Sequence, residues 1–308
     1  MYLIGIDGGG TKTETVVGDL EGNIKATAIT GSANLRNVGM EEAIANIEKG
    51  VRDSLSCIEP KEVAFIFAGI PCFTEEYGER EDEIKKALFI RLKDLLTEER
   101  RMMIGSDQEA AFCSGTDEED GMVAIAGTGS VVRGWHKEKD VKIGGWGWFA
   151  DESGAFQIGQ AVYQETVKAL DGRIKKTLLT DLVLQKMKVS NIKDLNKIIY
   201  GENPIKALSP LSILANEGAE RGDEVARSII IEAVEELVIS ARCTIEKLKF
   251  EKDFPFVLVG GMFKSHIFLK TFKEKILSFS PFARIILPED KPAWGAMKLA
   301  IKNYEKIK

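Results

Sequence analysis

The chain has 308 residues, of which 44% are hydrophobic and 29% are charged, so it is long enough for two domains or one large two-lobed unit. Acidic residues outnumber basic ones 48 to 42, and the resulting net charge of −6 argues against a dedicated DNA or RNA binder. With only two histidines, a multi-histidine metal centre is nearly excluded. The four cysteines are widely spaced and indicate neither a disulfide scaffold nor a zinc site, which favours a reducing, cytoplasmic compartment.

The first 118 residues predict one lobe that opens with a β-hairpin. An apolar strand over 2–7 and a β-branched strand over 13–20 flank a glycine-rich turn, and a third strand follows over 24–30. The later pattern predicts helices over 40–58, 84–96 and 108–114 and strands over 63–68 and 102–105. A hairpin at the front is typical of the ribonuclease-H-like layout, because a Rossmann unit begins β-α-β.

Residues 119–308 predict a second lobe in which the pattern begins again. Strands over 122–126 and 131–135 flank another glycine turn, which suggests a structural duplication. The rest of the lobe is expected to hold a strand over 141–145, a mainly helical insertion over 153–249 broken at Pro204 and Pro210, strands over 256–259 and 283–287, and a helix over 264–279. A final helix within 292–308 could pack back on the first lobe.

Both predicted hairpin turns have the composition of a phosphate-binding loop. In Asp7-Gly8-Gly9-Gly10-Thr11-Lys12-Thr13, the glycines let backbone N–H groups approach an anion, and Asp7 could hold Mg²⁺ through water. The second turn is Gly127-Thr128-Gly129-Ser130. Each turn alone is equally consistent with an ordinary tight hairpin, but one turn per half could clamp a polyphosphate from two sides.

Asp107 follows the predicted strand 102–105 and precedes a helix. Aspartate is among the best N-cap residues, so position alone favours a capping role. A carboxylate at a strand end could also accept the proton of an attacking hydroxyl group.

Two segments have the chemistry of a sugar site. Gly144–Trp148 followed by Asp151 offers aromatic faces, N–H donors and a carboxylate, although a core tryptophan in a β-turn would have the same composition. Asn34 could bind a ligand hydroxyl or simply make an Asx-turn.

Paired glycines also follow the predicted strand 256–259. Gly260-Gly261-Met262 between a strand and a helix leaves room for a flat purine against the backbone, although a lone pair of glycines usually marks only a turn. The helical segment 215–219 offers a second wall for such a pocket.

Taken in this order, the motifs resemble those of the actin, Hsp70 and sugar-kinase superfamily. The sequence is most similar to the BadF/BadG/BcrA/BcrD ATPase family and, within it, to the N-acetylglucosamine kinases, from Ile4 to about Gly295. The resemblance implies an α/β fold of two ribonuclease-H-like, actin-like ATPase lobes, with a nucleotide and substrate cleft between them. It also implies transfer of the ATP γ-phosphoryl group to a sugar hydroxyl, with ATP and Mg²⁺ as cofactors.

The resemblance further assigns site residues to this chain. Asp107 would be the catalytic base and Asp7 the metal ligand. The sugar would be bound by Asn34, Gly69, Asp107, Gly145, Trp146 and Asp151. ATP would be bound by Gly9, Gly10, Thr11, Lys12, Thr13, Gly127, Thr128, Gly129, Ser130, Ala215, Gly218, Gly260, Gly261 and Met262, with Gly222 and Asp223 on the same helical side.

Departures from the family pattern leave the identity of the sugar substrate open. Animal N-acetylglucosamine kinases have a tryptophan shortly after the asparagine matched by Asn34, where this chain reads Leu35-Arg36-Asn37, and Ser153-Gly154 inverts the usual Gly-Ser order. The resemblance favours N-acetylglucosamine as the substrate. A broad hexokinase activity, or phosphorylation of a keto-deoxy sugar acid such as 2-keto-3-deoxygluconate, remains an alternative.

Two other functional classes share the ATP site. The activator ATPases of 2-hydroxyacyl-CoA dehydratases and benzoyl-CoA reductases hold a [4Fe–4S] cluster across a dimer through cysteines, and here Cys113 lies in the helix after Asp107. A non-catalytic sugar sensor would bind ATP and sugar without turnover. The expected partners of the kinase are a small-molecule sugar and ATP, with a homodimer and no nucleic acid or membrane partner; no segment reaches the ~18 apolar residues of a membrane span.

Overall fold

The computed structural model describes residues 1–56, 58, 62–71, 81–201 and 203–308. The chain divides into two compact units. Unit 1 comprises Met1–Glu118 and Leu287–Lys308, and unit 2 comprises Glu119–Ile286. Cys57 and Cys72 lie outside the described residues.

Unit 1 contains a mixed five-stranded sheet with the strand order β3-β2-β1-β4-β5. Its strands are β1 (Tyr2–Gly8), β2 (Thr13–Gly18), β3 (Ile24–Thr30), β4 (Val63–Ile70) and β5 (Met102–Ser106). The first three strands form an antiparallel meander, whereas β4 and β5 run parallel to β1. The front hairpin predicted from the sequence is therefore present, and the ends of β1, β4 and β5 lie at one edge of the sheet.

Helices cover both faces of this sheet. They are α1 (Leu35–Leu55), α2 (Glu81–Leu92), α3 (Asp107–Gly115) and α11 (Pro292–Ile307). On one face, Ile44 of α1 and Leu88 of α2 pack with Ile66 of β4. On the other, Phe67 of β4 packs with Met297 of α11. The alternation of Ile66 and Phe67 between faces is the period-two pattern of a strand buried on both sides.

Two helices of unit 1 begin earlier than their apolar spacing predicts. Helix α1 begins at Leu35 rather than residue 40, because Asn34 caps it, and Gly39 interrupts it with a non-helical φ of 77°. Helix α2 begins at Glu81 rather than residue 84, and its acidic first turn suits the positive end of the helix dipole.

Unit 2 contains a second five-stranded sheet with the order β10-β9-β6-β7-β8. Its strands are β6 (Gly121–Ala126), β7 (Ser130–His136), β8 (Lys139–Gly144), β9 (Phe254–Val259) and β10 (Ala283–Ile286). Again three antiparallel strands come first, and two later strands run parallel to the first. Both units therefore have the ribonuclease-H-like strand order, which confirms the predicted duplication and fold class.

The segment between β8 and β9 is mainly helical, as the sequence predicts. It contains α4 (Ala155–Leu170), α5 (Leu178–Met187), α6 (Ile192–Ile199), α7 (Pro204–Leu208), α8 (Leu211–Glu220) and α9 (Glu224–Leu248), and α10 (His266–Phe279) follows β9. Pro204 opens α7 and Pro210 caps α8, so both prolines stand at helix starts. Phe256 of β9, Phe272 of α10 and Val234 of α9 lie in the core of this unit. Among the described residues, no helix is long and apolar enough to cross a membrane.

Candidate active site

Three parallel strands of unit 1 end together, and each leads to a residue of the predicted site. Asp7 of β1 lies opposite Gly69 of β4, and Gly69 lies opposite Gly105 of β5. Asp107 follows β5 as the first residue of α3. A Cβ atom on Gly69 would lie 3.1 Å from the Ser106 carbonyl oxygen and 3.3 Å from Asp107 Cα, so the missing side chain permits this close approach. The structure thus brings Asp7, Gly69 and Asp107 together.

The N-cap of α3 is Ser106, not Asp107. The Ser106 hydroxyl accepts a hydrogen bond from Glu109 N at 3.2 Å, and the Glu109 carboxylate accepts one from Ser106 N at 2.8 Å, which is a complete capping box. The interpretation of Asp107 as the cap is therefore wrong. Its half-buried carboxylate accepts a hydrogen bond from Gln108 Nε2 at 2.5 Å.

Negative charge concentrates around Asp7. The pKa of this carboxyl is raised to about 7, first because of burial and then because of the carboxylates of Asp107 and Glu14, while Lys12 acts in the opposite direction. Asp7 and Glu14 are direct cross-strand neighbours, so their side chains leave the sheet on the same face. A site with this charge distribution favours a bound cation.

The first glycine turn joins β1 and β2 and is supported by the segment before α1. Gly9 N donates to the Lys12 carbonyl at 2.8 Å, which closes the turn. The Gly9 carbonyl accepts from the Ser32 hydroxyl at 3.2 Å, and the Gly10 carbonyl accepts from Asn37 Nδ2 at 3.1 Å. Asn34 lies in the same segment, so the structure places it beside the predicted phosphate turn.

Asn34 also has a structural role. Its side-chain oxygen accepts hydrogen bonds from Arg36 N at 3.0 Å and Asn37 N at 3.3 Å, which caps α1. A Cβ atom on Gly10 would lie 3.8 Å from Asn34 Nδ2. The amide nitrogen is therefore the part of Asn34 that points toward the glycine turn.

Unit 2 repeats the turn at the same place in its sheet. Gly127 N donates to the Gly129 carbonyl at 2.9 Å, between β6 and β7. The outward carbonyls of Gly127 and Thr128 accept from Ala155 N at 2.8 Å and Phe156 N at 3.1 Å, so the first turn of α4 holds this loop. These two hydrogen bonds attach the turn to the helix, which suits a preorganised phosphate site.

Asp151 holds the predicted sugar-binding segment Gly144–Trp148, called the sugar loop below, through hydrogen bonds. Its buried carboxylate accepts hydrogen bonds from Trp146 N at 3.0 Å and Ser130 N at 3.3 Å. Burial raises its pKa although these backbone donors lower it. A Cβ atom on Gly129 would lie 2.6 Å from the same carboxylate. In this structure Asp151 ties the sugar loop to the second glycine turn.

The loop itself presents aromatic surface. Gly144, Gly145 and Gly147 have φ values of 74°, 75° and 106°, in the left-handed region that favours glycine. Between them Trp146 is 57% exposed, and the Lys142 ammonium lies 4.8 Å from its ring centroid. A solvent-accessible tryptophan held by glycines suits stacking against a sugar ring.

The two glycines of the turn after β9 have different surroundings. A Cβ atom on Gly260 would lie 2.3 Å from the Ala126 carbonyl oxygen, so Gly260 packs directly on the end of β6. At Gly261 no atom would lie within 4 Å, which leaves open space on its surface. Met262 is buried behind it. This geometry is compatible with a flat ligand lying on Gly261.

Two predicted nucleotide contacts on α8 are packing residues. Ala215 is 0% exposed within the core of unit 2, and buried Gly218 would place a Cβ atom 3.0 Å from the Ala226 methyl. Neither presents surface to a ligand, and we correct their assignment. Asn216 is half-buried and accepts a hydrogen bond from the Ser265 hydroxyl, so this side chain connects α8 to the turn after β9.

Sequence reasoning also missed two charged residues of unit 1. Glu14 is buried on β2 next to the glycine turn, and Lys291 contacts it from the start of α11. A glutamate inside the apolar and β-branched run 13–18 was the available signal for the first. Nothing in the local sequence connects Lys291 to this site, because the two residues are 277 positions apart.

The repeated strand order and the glycine turn at the same position in each unit define a protein of the actin-like ATPase class. A solved structure of a candidate N-acetylglucosamine kinase from Chromobacterium violaceum has this fold, with a TM-score of 0.75 and 21% identity over 97% of this chain and 98% of that one.

The chain belongs to the BadF/BadG/BcrA/BcrD ATPase family, which it matches over residues 4–300. It is 32% identical to the N-acetyl-D-glucosamine kinase of Dictyostelium discoideum, over 98% of each chain. It is 28% identical to an N-acetylmuramic acid/N-acetylglucosamine kinase of Clostridium acetobutylicum, over 97% of this chain and 98% of the relative.

Proposed function

We propose that this protein is an ATP-dependent sugar kinase in which Asp107 is the catalytic base. The observation that carries the proposal is the placement of Asp107 at the sheet edge that also holds Asp7 and the first glycine turn. Phosphoryl transfer needs a positioned acceptor hydroxyl, a phosphate cradle and a metal-binding carboxylate, and unit 1 offers a group for each of them.

The reaction is a direct in-line transfer. A sugar hydroxyl oxygen bonds to the γ-phosphorus of ATP, the bond from that phosphorus to the bridging oxygen breaks, and ADP leaves. The hydroxyl proton goes to the carboxylate of Asp107. Backbone N–H groups of Gly10, Thr11 and Lys12 and the Lys12 ammonium would bind phosphate oxygens, and their positive charge would favour the transition state.

Asp7 is the residue that would hold Mg²⁺. Its carboxylate is repelled by those of Asp107 and Glu14, with Lys12 only partly opposing this effect, and a bound cation would relieve the repulsion. In the described residues no cluster of three or more His, Cys, Asp or Glu side chains could form a metal cage. Magnesium in phosphotransferases uses one or two carboxylates together with substrate phosphates and water, so a single aspartate suffices. Bound Mg²⁺ neutralises phosphate charge.

Unit 2 has candidate nucleotide contacts of its own. The turn Gly127–Ser130 would bind phosphates, and Gly260–Met262 would receive the adenosine, with its base on the open surface of Gly261. Asn216 replaces Ala215 and Gly218 as the α8 residue near this turn.

N-acetylglucosamine is the sugar we propose, because both curated relatives are named for its phosphorylation. In unit 1, Asn34 would bind a sugar through its amide nitrogen. In unit 2, Trp146 would bind a sugar through its ring, with Gly145 allowing close approach. Asp151 would act mainly by holding Trp146 in place. We also propose a cytoplasmic location and a homodimer.

The activator alternative has weaker support. Burial raises the pKa of the Cys113 thiol to about 11, whereas a cluster ligand is a thiolate. Cys243 is the other free cysteine of the described residues and lies on α9 in unit 2.

A coupled ADP-release assay with Mg-ATP tests the proposal. Parallel reactions contain N-acetylglucosamine, N-acetylmuramate, glucose, glucosamine, mannose or 2-keto-3-deoxygluconate. We expect the highest kcat/KM with N-acetylglucosamine. Highest turnover with another sugar would correct the substrate, whereas folded, ATP-binding protein that turns over none of them would overturn the kinase assignment.

A further inference from the structure

A buried carboxylate supports the first glycine turn. Glu14 is only 5% exposed and lies on β2 directly across from Asp7. A buried carboxylate is costly unless charged or hydrogen-bonding partners compensate it. The partners of Glu14 therefore indicate its role.

Two lysines from distant parts of the chain share Glu14. Lys12, in the glycine turn, places Nζ 3.3 Å from Oε2, and Lys291, the N-cap of α11, places Nζ 2.6 Å from Oε1. The Lys291 ammonium also lies 5.5 Å from the ring centroid of Trp294. Each lysine side chain is 58% exposed while the carboxylate between them is buried. The three residues form a Lys–Glu–Lys bridge with Lys12 at the turn.

The two lysines do not compensate the charge of Glu14 equally, because one contact is shorter than the other. Lys291 approaches Glu14 more closely than Lys12 does, so it supplies most of the compensation. Lys12 can then turn its ammonium group to a bound phosphate without leaving Glu14 uncompensated. If Lys291 were absent, Lys12 would be the main partner of a buried carboxylate and would be held back from the ligand.

We propose that Lys291 is a positioning residue for nucleotide phosphates, acting through Glu14 on Lys12. This inference rests on the proposed function of the turn Gly9–Thr13. The capping role of Lys291 uses its backbone carbonyl, which accepts from Trp294 N at 2.8 Å, and so does not require the ammonium group.

Direct nucleotide binding tests the inference without requiring turnover. A fluorescent N-methylanthraniloyl-ATP is titrated with Mg²⁺ into the wild type, Lys291→Met, Lys291→Arg, Glu14→Gln and the double variant Glu14→Gln/Lys291→Met. Lys298→Met is the matched control, because Lys298 lies on the same helix but pairs with exposed Asp117 at 3.0 Å. Circular dichroism and thermal unfolding verify that each variant is folded.

We expect Lys291→Met to raise the Kd of the analogue about tenfold, as loss of one charge-assisted contact would. Lys291→Arg should stay within about twofold of the wild type, since it restores the charge. Lys298→Met should bind like the wild type. In the Glu14→Gln background, Lys291→Met should cause no further loss, because the connection through Glu14 is already broken.

Each contrary result has a distinct meaning. Unchanged nucleotide affinity in Lys291→Met, with or without a loss of stability, would overturn the inference and leave the side chain a purely structural role. The same loss of affinity in the Glu14→Gln background would show a direct phosphate contact and overturn the route through Glu14. Failure of the wild type to bind the analogue would overturn the proposed function itself, and the inference with it. If Lys291→Met does not fold, Lys291→Gln and the double variant provide the comparison.

Discussion

Replacing Asp7 by asparagine should stabilise the unliganded protein while abolishing its turnover. The folded-state pKa of Asp7 is about 7, above its ordinary value of 3.8. The folded protein therefore favours the neutral carboxyl. This contribution to stability is fully present below about pH 4 and is lost as the pH rises through 7. Asparagine is neutral at every pH and avoids the loss.

The size of the effect follows from the two pKa values. At 1.36 kcal/mol per pKa unit, ionised Asp7 destabilises the folded state by up to about 4 kcal/mol. The expected gain in the free energy of unfolding for Asp7→Asn is about 2 kcal/mol near pH 5, about 3 near pH 6 and about 4 near pH 8. Urea unfolding at these pH values, without nucleotide or metal, measures it.

A matched control is available in the same sheet. Asp19 is a half-buried aspartate directly after β2, and hydrogen bonds from Lys25 and Asn23 hold its pKa below the usual range. Asp19→Asn should therefore bring no stabilisation as the pH rises. If Asp7→Asn were no more stable than the wild type near pH 8, or if its gain did not change with pH, the argument that Asp7 is a buried repulsive charge would be refuted.

Three further substitutions separate chemistry, binding and stability. Asp107→Ala should lower kcat by about 10²–10⁴ in the ADP-release assay while nucleotide affinity is retained, and near-normal turnover would contradict its role as base. Asn34→Ala should raise the sugar KM more than the ATP KM and cost about 1 kcal/mol through the lost cap; Asn34→Asp keeps the cap and isolates the binding effect. Asp223→Ala should cost about 1–3 kcal/mol in urea unfolding, because the carboxylate accepts from Leu179 N at 2.7 Å and Ala226 N at 3.0 Å. Burial opposes ionisation of Asp223, but these donors outweigh it and lower its pKa. The loss in the free energy of unfolding should therefore be present above about pH 4 and shrink below it. A loss that does not change with pH would contradict this.

The fold was accessible from the sequence because its signals are local. Apolar runs, β-branched stretches and glycine turns fix each hairpin without knowledge of distant contacts. The two turns at 8–12 and 127–129 indicated that the pattern occurs twice, and the equal strand orders of the two sheets confirm it. Boundaries failed where a cap or a kink outweighed periodicity, as at Asn34 and Gly39 of α1.

Individual side-chain roles were harder to predict. Ser106 and Asp107 are both good caps, and the Ser-x-x-Glu pattern ending at Glu109 was the available evidence that the serine takes this role. Ala215 was misassigned because a small helical residue looks the same whether it faces a ligand or the core. Only the packing of α8 distinguishes these cases.

The sequence predicts that α11 could pack back on the first lobe, but no local pattern shows which residues it contacts, and these contacts determine the geometry of the unit 1 site. A Cβ atom on Gly5 would lie 2.3 Å from Met297 N, and one on Gly295 would lie 1.9 Å from the Ala110 carbonyl oxygen. The helix therefore packs closely against β1 two residues before Asp7 and against α3 three residues after Asp107. Since both contacts require glycine, the last helix of the chain holds the two carboxylates near each other despite their mutual repulsion. That repulsion contributes to the raised pKa of Asp7 and favours cation binding at this site.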